Sequence, residues 1–356
     1  MERPLIALTM GDPAGIGPET IAGAWANPEW HKIARPFAIG RPAIFSRAVA
    51  LLGKPIRVVE IDDPAFAAPS PTELPVLCTG ERESEDVPPA RIDPRGGQAA
   101  YDCLIRSIDL AKSQAIDAIV TAPLNKAALA AAGIHYPGHT EILADACGVA
   151  PEAVAMMLYL PPGEAVAGAA GLGVAHVTLH MALRDVFANL NVSNIVEKAR
   201  LAHSVSKILL PPCEDRAPRI GVTALNPHAG EDGLFGDEEI TTIAPAVAAI
   251  RAQGIDAHGP FPADTLMGRA AAGEFDAVVA MYHDQGHIAL KLLGMHRAVN
   301  ITLGLPIVRT SVAHGTAFDK AWQGKSETTG LISATKVAVR MALAKRTKGS
   351  LWNITV

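Results

Sequence analysis

Short apolar runs recur along the chain and alternate with longer Ala/Leu-rich stretches whose apolar residues fall three and four positions apart. The first pattern suits strands and the second suits helices. The runs predict strands at Leu5–Thr9, Pro36–Ile39, Ile56–Glu60, Ile116–Thr121, Val154–Tyr159, Val174–Leu179, Ile220–Leu225, Ala277–Met281 and Val299–Leu303. The longer stretches predict helices at Gln98–Ser113, Leu124–Ala132, Val192–Leu210, Glu238–Gln253 and Thr329–Ala344. Such alternation is that of βα units around a largely parallel sheet, so the fold class is α/β. Ala165–Ala175 is apolar but Gly-rich and short of the ~20 residues that span a bilayer. It reads as two short strands around a turn at Gly168–Gly173. Charged, proline-rich Thr79–Arg95 and Pro211–Pro218 read as surface connections.

Composition narrows the function classes. A chain of 356 residues holds about two domains or subdomains. Its net charge of −5, with scattered lysines and arginines, offers no basic stripe for nucleic acid. Local clusters can still bind small anions. Cys78, Cys103, Cys147 and Cys213 form no Cys-x-x-Cys and are expected to be buried free thiols in a reducing cytosol. Nothing after Met1 resembles a signal peptide, so the expected location is cytoplasmic, away from membranes.

Three histidines carry the strongest chemical signal. His180 in Val-Thr-Leu-His, His228 in Asn-Pro-His-Ala-Gly-Glu and His283 in Met-Tyr-His-Asp-Gln-Gly-His each follow a β-type apolar run. Open α/β sheets place ligands at strand ends, and three neutral imidazoles can hold a divalent metal while leaving coordination positions free. One such histidine alone is usually just a polar residue at a strand end; the shared context points to a metal-dependent enzyme.

Two further segments fit anion binding. Pro137-Gly138-His139-Thr140-Glu141 precedes an apolar helical stretch, where free N–H groups and the helix dipole attract an anion or a cap. Arg309 sits in the apolar stretch Leu305–Thr310, where a substrate phosphate would offset the cost of burying a guanidinium. Gly11–Glu19 follows the first strand and fits a structural turn as well as a ligand loop. It lacks both the Gly-x-Gly-x-x-Gly and the Walker pattern.

Taken in order, Met10–Glu19, Gly138–Glu141, Asn226–Gly230, Tyr282–Gly286 and Val299–Gly315 resemble the 4-hydroxythreonine-4-phosphate dehydrogenase family of pyridoxal phosphate biosynthesis, over nearly the whole chain. The resemblance implies an isocitrate/isopropylmalate dehydrogenase-like fold of two α/β/α subdomains with a cleft between them. Residues 1–135 and 305–356 would form the first, and 136–304 the second. It also implies NAD or NADP bound without a Rossmann fingerprint, and a homodimer with a shared active site. One divalent metal (zinc, magnesium, cobalt or manganese) would sit on His180, His228 and His283. The matching motifs assign substrate binding to His139, Thr140, Lys291, Asn300 and Arg309. His31, His135, His176, His203, His258, His287, His296 and His314 are left as ordinary surface or supporting histidines.

The implied chemistry is oxidation of a 4-phosphorylated four-carbon 3-hydroxy acid followed by loss of its carboxylate. Asp264, Asp284 and Lys291 are the candidate bases. Leu124-Asn125-Lys126 and Gly286-His287-Ile288 depart from the vitamin B6 pattern and resemble a branch acting on D-threonate or D-erythronate 4-phosphate. A metal-dependent phosphohydrolase or aldolase would also use three histidines and an anion site. A two-lobed anion-binding protein is the non-enzymatic alternative.

Overall fold

In a computed structural model, residues 2–352 are described, and they divide into two compact units. The first comprises the chain up to Pro151 and Leu305–Thr347; the second is Glu152–Gly304 with the chain from Lys348. The expected break after residue 135 is thus displaced to Pro151. The helix His139–Cys147 packs on the helix Pro94–Lys112 and stays with the first unit.

The first unit is built on β1 (Leu5–Thr9), β2 (Arg35–Gly40), β3 (Arg57–Ile61), β4 (Glu73–Cys78), β5 (Ala118–Thr121) and β12 (Arg309–Val312). They run in the order β3-β4-β2-β1-β5-β12, all parallel. Every residue of β1, β5 and β12 is buried, the signature of strands covered on both faces; β1 and β5 accordingly read as apolar runs, whereas β12 is Arg-Thr-Ser-Val. The helix Pro94–Lys112 is capped by Asp93, whose carboxylate accepts the Arg95 N–H at 2.9 Å. It buries Ala100, Cys103, Leu104, Ser107, Ile108 and Ala111 along one face.

The second unit holds β6 (Ala155–Leu160), β7 (Leu172–His176), β8 (Ile220–Thr223), β9 (Ala257–Phe261), β10 (Ala277–Ala280) and β11 (Val299–Leu303). Their order is β11-β6-β7-β10-β8-β9, with β6 antiparallel to both neighbours and β7, β10, β8 and β9 parallel. The helix Val192–Leu209 covers it and buries Lys198, whose ammonium donates to the carbonyls of Glu152 at 2.5 Å and Val154 at 3.2 Å. Ala165–Ala175 forms one strand instead of the two expected: only β7 begins there, after a turn at Gly168–Gly171 and an isolated bridge from Gly163 to Val166.

All four cysteines are free; Cys103 is buried, Cys78 and Cys147 are half-buried, and Cys213 is exposed. The expectation of burial fails at Cys213 because it lies in the surface turn after Pro211. Among the described residues no helix is long and apolar enough to cross a membrane.

Candidate functional site

The first unit gathers cationic groups. Arg309 lies beside Ile119 in the β12–β5 register, is 1% exposed, and donates to the Thr121 hydroxyl at 2.6 Å. Burial pushes its pKa down to about 9. A guanidinium keeps its proton under nearly all conditions, so the cost of that burial is one that a neutralising anion would offset. His139 opens the helix His139–Cys147, followed by Thr140. Its ring is held well below its ordinary pKa by burial and then by the charges of Arg309 and Lys126. His139 is therefore a neutral donor or acceptor next to two fixed cations. Lys126, exposed at the first position of the short Ala-rich helix Lys126–Ala131, was not among the candidates read from sequence, where such a residue reads as a solvated charge. Its signal was its place in Leu124-Asn125-Lys126.

Asn125 itself caps the helix Lys126–Ala131, accepting the N–H groups of Ala127 at 2.9 Å and Ala128 at 3.0 Å. The Gly-rich segment also has structural work. A Cβ at Gly11, whose φ is +72°, would fall 2.3 Å from the Pro123 carbonyl oxygen. One at Gly17 would fall 2.2 Å from that of Met10. Buried Glu19 accepts the backbone N–H groups of Trp322 and Gly324. Asp12, 1% exposed, accepts the Ala14 N–H with one oxygen, and burial pushes its pKa up to about 6.

The second unit gathers imidazoles at the C-terminal ends of adjacent strands. His180 follows β7, His228 follows β8, and His283 follows β10 and begins the helix His283–Gly294. β7 stops at His176, four residues before His180, so that ring is delivered by a bend and not by the strand itself. Gln285 ties the strand ends together. Its amide oxygen accepts the Met281 N–H at 2.7 Å and the Thr223 hydroxyl at 2.8 Å, while its amide nitrogen donates to the Ala224 carbonyl at 2.7 Å. A glutamate could not supply that donor.

The His180 and His283 ring centroids are 5.6 Å apart. His283 Nδ1 is 2.6 Å from the exposed Asp284 carboxylate, which as an anion can only accept. That bond fixes the proton on Nδ1 and leaves Nε2 as the free lone pair, the orientation a metal-binding imidazole needs. His228 stands on a different footing. It starts five consecutive left-handed residues, His228 to Asp232, and its nearest ring partner is Phe235 at 6.3 Å. The loop is fastened by buried Glu239, whose Oε1 accepts the N–H groups of Leu225 and Asn226 at 2.8 and 2.7 Å. Among the described residues no three His, Cys, Asp or Glu side chains are grouped to hold a metal ion. The donor types and strand ends fit a metal, and two of the three rings are adjacent.

Two histidines left aside on sequence complete this cluster. His176, fully buried at the end of β7, lies 3.3 Å from the Met156 carbonyl through Nδ1 and 3.1 Å from His287 Nδ1 through Nε2. His287 stacks on His283 with ring centroids 3.7 Å apart. Burial lowers His176 to about 3 and His287 to about 4, so both are neutral near pH 7. Of the other sequence candidates, Lys291 lies two turns beyond His283 in the same helix, and Asn300 on β11 donates to the Met156 sulfur at 3.2 Å. Asp264 is exposed in the first turn of the helix Ala263–Ala271 and accepts the N–H of Thr265. His139, Thr140 and Arg309 thus belong to the first unit, and Lys291 and Asn300 to the second.

Comparison with known proteins adds identity to this geometry. Residues 32–338 match the family described as pyridoxal phosphate biosynthetic protein PdxA. A 4-hydroxythreonine-4-phosphate dehydrogenase of Beijerinckia indica is 44% identical over 96% of both chains. A D-threonate 4-phosphate dehydrogenase of Pectobacterium atrosepticum is 42% identical over 95% of this chain and 99% of that one. The crystal structure of a 4-hydroxythreonine-4-phosphate dehydrogenase from Klebsiella pneumoniae superposes with a TM-score of 0.80 at 42% identity, covering 95% of this chain and 99% of the other. These relatives set aside the hydrolase, aldolase and binding-protein alternatives and bear out the α/β fold. The chain belongs to the PdxA family and is a dehydrogenase.

Proposed function

We propose that this dehydrogenase oxidises and decarboxylates a four-carbon 3-hydroxy acid phosphorylated at C4, either 4-hydroxythreonine 4-phosphate or D-threonate/D-erythronate 4-phosphate. The observation that carries the phosphorylated substrate is the cationic centre of the first unit: buried Arg309, with Lys126 and the neutral ring of His139. Arg309 offers planar paired donors to a phosphate, and Thr140 with the start of its helix offers further N–H and O–H donors. Binding energy from that remote group positions the reacting carbon. Lys291 and Asn300 are the further substrate residues that the family resemblance implies.

NAD or NADP serves as oxidant, and His180, His228 and His283 hold one divalent ion, with Asp284 orienting His283. When bound, the ion supplies a Lewis acid that lowers the pKa of the C3 hydroxyl, and the nicotinamide supplies the hydride acceptor. The hydroxyl proton passes to a base, for which Lys291, Asp264 and Asp284 are the candidates. Hydride leaves C3 and gives a 3-oxo acid. Its C1 carboxylate departs as carbon dioxide, the electron pair flows into the C3 carbonyl, and a proton then adds at C2. The protein acts as a homodimer in the cytoplasm; exposed Leu183, Phe187, Ile288 and Leu292 in the second unit supply apolar surface for a second copy.

The test is a panel assay. 4-Hydroxythreonine, D-threonate and D-erythronate 4-phosphates and the three unphosphorylated acids are each offered with NAD and with NADP, and absorbance of the reduced cofactor is followed with and without chelator. Turnover of at least one phosphorylated acid, lost on chelation and restored by a divalent ion, is expected. Equal turnover of the unphosphorylated acids would overturn the assigned anion centre.

A further inference from the structure

The paired histidines His176 and His287 are absorbed by none of the roles above. Their order follows from one fixed point, the Met156 backbone carbonyl, which can only accept. His176 Nδ1 must therefore carry the proton, and in a neutral ring its Nε2 must be the lone pair. The atom facing that lone pair is His287 Nδ1, at 3.1 Å, so His287 also carries its proton on Nδ1. What remains on His287 is Nε2 as a bare acceptor, on a ring stacked 3.7 Å from His283 at an interplanar angle of 12°.

The backbone is shaped for this pairing. A Cβ at Gly286 would fall 2.5 Å from His176 Nε2 and 2.6 Å from Val174 Cγ1, so only glycine lets the helix start approach the buried ring. Residues 176 and 287 are brought together by β7 pairing with β10, where His176 stands opposite Ala280.

We propose that His176 is a positioning residue: through its hydrogen bond it fixes His287 as the Nδ1–H tautomer, which holds the His283 ring by stacking and offers Nε2 only to hydrogen-bond donors. A hydroxyl or an ammonium group satisfies that nitrogen, and a carbonyl, carboxylate or phosphate oxygen is repelled by it. The tautomer assignment is independent of the function proposed above; its effect on turnover rests on that reading.

The experiment uses the full-length protein labelled with 15N histidine, with the His287 ring signals identified by their loss in His287→Gln. A pyrrole-type Nδ1 and a pyridine-type Nε2 are expected for His287 in the unsubstituted protein. The reverse pattern there overturns the proposal whatever any variant does. In His176→Leu, which cannot accept from His287, the Nε2–H tautomer should appear and kcat/KM should fall roughly 10- to 100-fold. His176→Gln keeps the polarity, its amide donating to Met156 and accepting from His287. It should retain the tautomer and hold kcat/KM within about threefold, an order-of-magnitude expectation for a preserved hydrogen bond. A merely structural His176 would give equal losses in both variants with an unchanged ring spectrum, and that result rejects the positioning role. Should the unsubstituted protein turn over none of the phosphorylated acids, the proposed function fails while the ring spectrum still decides the tautomer.

Discussion

The cationic centre of the first unit and the imidazole cluster of the second carry the same physical stress with opposite remedies. In both, burial penalises protonated nitrogen. Buried Arg309 nevertheless remains a cation, and the neutral His139 ring records its field together with that of exposed Lys126. An anion relieves that centre. In the second unit the buried rings of His176 and His287 give up their protons and link into one hydrogen-bonded chain. Lone pairs in such a cluster are relieved by a cation or by hydrogen-bond donors. The difference lies in intrinsic basicity: the same desolvation that neutralises an imidazole leaves a guanidinium charged.

Removing one group from each centre should separate them. Arg309→Ala should lower kcat/KM for the phosphorylated acid roughly 10²- to 10³-fold, mostly through KM, with bound metal and nicotinamide affinity unchanged. His283→Ala should instead cost metal occupancy and turnover together, read by elemental analysis after dialysis. Arg309→Lys should not restore the first loss, since a lysine cannot make the planar two-point contact. Equal loss of nicotinamide affinity in Arg309→Ala would make the arginine structural.

The two centres were also unequally legible in the chain. β1 and β11 carry uninterrupted apolar runs and match their expected limits, Leu5–Thr9 and Val299–Leu303. β4 went unread because Pro75 lies inside it and proline argues against an interior strand. β12 was hidden because its first residue is Arg309, a charge that only tertiary surroundings make a core residue. The proposed metal ligands stood out since each follows a strand in a polar motif. The pairing of His176 with His287 joins residues 111 positions apart, and only sheet register brings them together.

A smaller effect comes from Asp12, whose burial works against a negative charge. Its folded pKa of about 6 lies above its ordinary 3.8, so its contribution to stability is fully present below pH 3.8 and is lost as pH rises through about 6. The buried imidazoles have the opposite sign. His287 and His176 sit near 4 and 3 when folded, against an ordinary 6.5, so their contribution is present above pH 6.5 and lost as pH falls toward those values. Asp12→Asn keeps an oxygen for the Ala14 N–H and removes the charge. At pH 8 it should therefore raise stability by on the order of 2 kcal/mol, with the gain vanishing near pH 4. Thermal melts at the two pH values check this; a gain equal at both would mean that the charge is not the cause.

The smallest expected effect tests Asn125, which lies in one of the two segments that depart from the vitamin B6 pattern and so bears on recognition of the substrate's C2 group. In the structure its side-chain oxygen is occupied by two backbone N–H groups at the start of the helix Lys126–Ala131. A cap and a recognition group respond differently to one conservative change. Aspartate supplies the same acceptor and suits a helix N-terminus, whereas it cannot donate to a substrate oxygen. If Asn125 is a cap alone, Asn125→Asp should melt at the unsubstituted temperature, and Asn125→Ala should lose about 1 kcal/mol. Neither should move the ratio of kcat/KM between 4-hydroxythreonine 4-phosphate and D-threonate 4-phosphate. A tenfold change of that ratio in Asn125→Asp at constant melting temperature would return Asn125 to substrate recognition. Choice of the C2 substituent would then fall partly to the first unit. An unchanged ratio leaves that choice to groups other than Asn125; His287, whose acceptor nitrogen takes a hydroxyl and an ammonium alike, would not make it alone.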